Sequence, residues 1–133
     1  MTTAQAGTGS QRLDAVVWIS GTLAAGSALL SVAHLGVQIP VLSVLGPGGD
    51  RAVIPAAIAF AIAAVLQGVT SLGVARRRAW GWPLGVLIAA LMLVGAAMPF
   101  RGLVSAIGIA LAGAELALLL SGAVRREMLR AES

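Results

Sequence analysis

The sequence predicts an all-α fold: an integral membrane four-helix transmembrane bundle with antiparallel neighbours and both termini in the cytoplasm. Three features point to it. Hydrophobic residues make up 59% of the 133 positions and charged ones 11%, whereas a soluble domain of this size needs roughly a quarter of its residues charged. The charges are gathered in short clusters, and the stretches between them carry none. The arginine-rich clusters also recur at every second connection, the bias expected where positive charge is retained in the cytoplasm.

Met1 to Gln11 is small and polar, with nothing to bury, so residues 1–11 read as a disordered cytoplasmic leader. Ala15 to Gly36 is free of charge and, at 1.5 Å per residue, reaches about 33 Å, enough to cross a hydrocarbon core of about 30 Å. The first helix is placed at about 14–36. Val37 to Arg51 contains Pro40, Pro47 and three glycines, which break the helix and mark a loop. The second helix, 52–75, is stopped by Arg76, Arg77 and Arg78, which do not enter hydrocarbon cheaply.

Trp80 and Trp82 follow at headgroup level, where amphipathic indoles form an interfacial belt, and Pro83 suits the first turn of a third helix at 82–98. The tight Pro99-Phe100-Arg101-Gly102 turn forces the fourth helix, 103–124, to run antiparallel beside it. The membrane domain thus spans 12–124, and 125–133 is a short cytoplasmic tail. Arg12, Arg76, Arg77, Arg78, Arg125, Arg126 and Arg130 share one face, Arg51 and Arg101 the other. That asymmetry predicts a bacterial plasma (inner) membrane protein with both ends inside. Ser31-Val32-Ala33 has the spacing of a signal-peptidase site, but one basic residue offset by Asp14 and a long apolar run favour a retained helix.

Trp18-Ile19-Ser20-Gly21 resembles Trp82-Pro83-Leu84-Gly85, and Gly73-Val74-Ala75-Arg76-Arg77 resembles Gly122-Ala123-Val124-Arg125-Arg126. Belt tryptophans and stop-transfer arginines recur for generic reasons, so this internal repeat carries little weight. Packing in lipid relies on small residues and interior hydrogen bonds. Gly21 with Ala25, Ala64 with Gly68, Gly81 with Gly85, Gly108 with Ala112 and Gly113 with Ala117 have the required small-xxx-small spacing.

Glu115 is the one formal charge inside a span, and an acidic residue there opposes insertion by about 2.5–3.5 kcal/mol. Counted from the nearest arginines, Glu115 and Thr22 stand about 15 Å and Gln67 about 13.5 Å above the basic surface. The three are expected to form an intramembrane polar cluster. Two roles stay open: a hydrogen-bonded clamp between helices, or a carboxyl that carries a proton. His34 falls at the opposite headgroup region, where a histidine is usually just solvated.

Zero cysteines and one histidine leave no thiolate or multi-histidine centre, so neither a cofactor nor a metal site is expected. The formal charge of +4 sits beside apolar spans and suits anionic lipid headgroups, with Arg76, Arg77, Arg78, Arg125 and Arg126 as topology anchors, better than nucleic acid. No phosphate loop, carboxylate pair or Ser-His-Asp set appears, so no enzyme is expected. Asp50, Arg51 and His34 are the sole headgroup-level candidates for lipid chemistry. The reading is a non-enzymatic accessory or structural membrane subunit that packs as a homo-oligomer or in a larger complex. Its alternative is a small oligomeric transporter or proton-coupled carrier using Glu115.

Overall fold

The computed structural model describes residues 3–45 and 52–130. Expectations that fall on residues 46–51, Asp50 and Arg51 included, lie outside the described residues. The described chain is helical throughout: α1 Thr3–His34, α2 Pro40–Leu45, α3 Ile54–Ala75, α4 Gly81–Ala97, α5 Leu103–Leu120 and α6 Gly122–Arg130. Three of these, α1, α3 and α5, are long and apolar enough to cross a membrane. The apolar α4 has 17 residues, about 26 Å of rise. The long helices pack in a ring, α1 on α3, α3 on α4, α4 on α5 and α5 back on α1.

Polarity is distributed as lipid requires. The buried set includes Ser20, Ser27, Gln67, Thr70, Ser105 and Glu115, while Trp18, Ile58, Ile62, Val65, Leu87, Leu91, Val94 and Leu120 are exposed. A water-soluble bundle would reverse this, because exposed aliphatic surface costs free energy only in water. Three packed helices of this kind, with a fourth apolar one beside them, make a membrane protein.

Local chemistry fixes the helix ends. α3 begins with Pro55 in its first turn, where a missing N–H costs no hydrogen bond. It ends as a Schellman motif: Arg77 adopts φ +52°, its N–H donates to Val74 O at 2.9 Å, and the Arg78 N–H donates to Gly73 O at 2.9 Å. The chain then turns back at once because Gly73 and Gly81 let two backbones touch. A Cβ on Gly81 would lie 2.7 Å from the Gly73 carbonyl carbon. α5 starts after Gly102, at φ +68°, and the Ser105 hydroxyl accepts the Arg101 N–H at 2.8 Å.

The stretch expected as a loop contains the short α2, Pro40–Leu45, which starts at Pro40 because proline suits a helix's first turn. Two boundaries also differ from the sequence expectation. From Thr3 onward, the stretch read as a leader is the first part of α1. The fourth helix does not run to Val124. It stops at Leu120, Ser121 is extended and donates its hydroxyl to Leu118 O at 2.6 Å, and the tail re-forms as the amphipathic α6. One interaction explains both. The apolar side of α6, Val124 and Met128, joins Leu13 and Val16 of α1 in a buried cluster with Val74, Ala89 and Leu119. Within 1–11, Gly9 is buried and lies close to the Glu127 carboxylate of α6, so the early part of α1 and the tail pack together.

Candidate functional site

The buried stripe of α1 runs through Gly9, Leu13, Val16, Ser20, Leu23 and Ser27, the three-and-four spacing of one helical face. On α3 the buried face carries Gln67, Thr70, Gly73 and Val74, and on α5 it carries Ser105, Ala112, Glu115 and Leu119. The faces meet at Glu115, which is 0% exposed. Ser20 donates its hydroxyl to Glu115 Oε1. Gln67 donates Nε2–H to Oε2 at 3.2 Å. One carboxyl therefore joins α1, α3 and α5 in the bundle interior.

Two of the three residues expected in the cluster are there, and Thr22 is not. Thr22 is exposed and donates to Trp18 O of its own helix at 2.8 Å. Two residues correspond to about 200° around a helix, so Thr22 points away from the face that presents Ser20. Depth alone chose Thr22; the periodicity of the small and polar residues would have chosen Ser20. The site also leaves two oxygens unsatisfied, because Gln67 Oε1 and Thr70 Oγ1 are buried with no hydrogen-bond partner.

Comparison with family models, curated proteins and solved structures finds no match to this chain.

The arginine-rich end is assembled from the start of α1, the α3–α4 turn and α6. Arg77 pairs with Glu127 at 2.6 Å, and a Cβ on Gly9 would lie 3.6 Å from the same carboxylate. Arg125 stacks over the Trp82 ring at 5.5 Å, while Arg76, Arg78 and Arg126 are exposed. Of the two tryptophans expected at the interface, Trp80 is exposed, but Trp82 turns inward. Its indole N–H donates to Leu119 O at 2.8 Å, satisfying a carbonyl that the break at Ser121 would otherwise orphan.

The opposite end holds His34. Its Nδ1 lies 2.7 Å from Leu30 O, its Nε2 lies 3.4 Å from an Arg101 guanidinium nitrogen, and its ring stacks on Phe60 at 5.1 Å. A carbonyl only accepts and a guanidinium only donates, so this arrangement assigns the proton to Nδ1 and the lone pair to Nε2. Instead of being merely solvated, His34 ties the end of α1 to α3 and the α4–α5 turn.

Proposed function

We propose that this chain is a four-span inner-membrane protein with both termini in the cytoplasm, and that its role is structural, as an accessory subunit working inside the bilayer without catalysis. Four spans follow if α4 crosses with its Trp and Arg flanks at the headgroups, since a short apolar helix is accommodated by local thinning. The arginine-rich end then faces the cytoplasm.

The observation that carries the structural role is the enclosure of Glu115. Among the described residues its carboxyl hydrogen-bonds only to groups of its own bundle, Ser20 and Gln67, and it is 0% exposed. Interhelical polar contacts of this sort contribute about 1 kcal/mol each, and they set the mutual register of α1, α3 and α5. Outward, Gly68 has open space over its Cβ position, and its α3 neighbours Ile62 and Val65 are exposed. A second helix can approach closely there, as an accessory subunit requires.

Two substitutions test this. Glu115→Leu leaves Ser20 and Gln67 unpaired and is expected to lower stability in detergent by about 1–2 kcal/mol, whereas Glu115→Gln still accepts from Ser20, can donate to the Gln67 oxygen once that amide turns over, and folds close to wild type. Reconstituted wild-type protein should show no proton flux that depends on Glu115. A flux abolished by Glu115→Gln with folding intact would replace the structural role with a proton-coupled carrier.

A further inference from the structure

A carboxyl buried in lipid must be neutralised, either by a proton or by a countercharge. Among the described residues no ion pair reaches Glu115, whose partners Ser20 and Gln67 are both neutral. The arginines are remote: Arg76 lies nine residues beyond Gln67 on α3, about 13.5 Å along the axis. Oxygen, in contrast, is in surplus. Gln67 Oε1 and Thr70 Oγ1 have no partner, and both residues are 0% exposed.

These atoms belong to one locality. Gln67 is held against the carboxylate by its own Nε2–H. Thr70 follows on the same buried face of α3, about 4.5 Å further along the axis. A Cβ on Gly85 would lie 3.1 Å from Thr70 Cγ2 and 3.0 Å from Leu119 Cδ1, and Leu119 is one turn beyond Glu115 on α5. Thr70 thus stands at the level of Leu119, about one helical turn from the carboxyl.

We propose that Glu115, Gln67, Thr70 and Ser20 form an occluded binding site for one sodium-sized monovalent cation. Glu115 supplies the negative charge, and Gln67 Oε1 and Thr70 Oγ1 supply neutral oxygens. The Ser20 hydroxyl steadies the carboxylate. Hard cations favour carboxylate, carbonyl and hydroxyl oxygens, and sodium sites near the bilayer midplane are likewise built of oxygen, there from backbone carbonyls. Charge selects valence: a monovalent ion makes the site neutral, whereas a divalent one leaves a net positive charge in hydrocarbon. No metal site was expected from the sequence because cysteine, histidine and clustered carboxylates are the usual marks of one, and this site has one charged ligand among neutral ones. The inference is independent of whether the protein is a structural subunit or a carrier.

Thermal unfolding of the purified chain in uncharged detergent tests it, in sodium, potassium or choline chloride at matched ionic strength. The midpoint is expected to rise with sodium and then saturate, because the ion binds only the folded state, while choline leaves it unchanged. Thr70→Val should raise the sodium concentration for half the effect by about tenfold or more. Glu115→Gln should abolish the effect, and gel filtration with radiolabelled sodium should retain one ion per chain. Equal midpoints in sodium and choline without retained label, as a proton on Glu115 would give, overturn the proposal. So does a sodium dependence that survives Glu115→Gln. If that variant does not fold, an unshifted sodium response in Thr70→Val has the same force.

Discussion

Side chains in this molecule matter by the face they occupy more than by their type. Gly81 and Gly95 both lie in α4, yet a Cβ on Gly81 would meet the Gly73 backbone at 2.7 Å and one on Gly95 would meet nothing within 4 Å. Gly81→Ala is therefore expected to lose about 1–3 kcal/mol, since backbone cannot yield as a flexible side chain does. Gly95→Ala should be neutral or slightly stabilising, as alanine is the better helix former. Thermal melts of the two variants in one detergent check this, and equal losses would refute the close α3–α4 contact. At this scale the sequence was legible in part. Glu115 and Gln67 stood out because a charge and an amide are rare in apolar spans. Ser20 did not, because serine is common there and only the periodicity of the buried stripe singles it out. The exposed Thr22 shows the cost of reasoning from depth without helical angle.

Among the elements, the apolar helices were readable because each is a long uncharged run bounded by arginine, proline or glycine. α3 and α4 end within one or two residues of the expected positions. The packing of the chain's two ends was not readable, because the tail looks polar and unsupported until α6 is placed against the early part of α1. Leu13 and Val16 of α1 meet Val124 and Met128 of α6 across more than 100 residues of chain, a pairing no local pattern reveals. Burial makes the joint testable: Met128, fully buried, becomes a desolvated charge in Met128→Asp. This variant should release α6 and the start of α1 to limited proteolysis while the membrane-embedded helices stay resistant. Unchanged protection would mean that α6 does not depend on α1.

For the whole molecule, the composition already dictated lipid as solvent, and the fold buries Ser20, Gln67, Thr70 and Glu115 while leaving many large aliphatic side chains exposed. What composition could not decide is whether α4, with 17 residues, crosses the bilayer, and so whether the α3–α4 and α4–α5 turns lie on opposite sides. The proposed topology needs them apart: arginines at the first turn inside, Arg101 with His34 at the second outside. The chain has no cysteine, so a single introduced thiol reports its side without background. Ala79→Cys marks the first turn and Met98→Cys, at an exposed position, the second. With a membrane-impermeant maleimide on intact cells, Met98→Cys should be labelled, and Ala79→Cys only after the membrane is permeabilised. Labelling of both from outside, or of neither, would contradict the four-span arrangement with both ends in the cytoplasm.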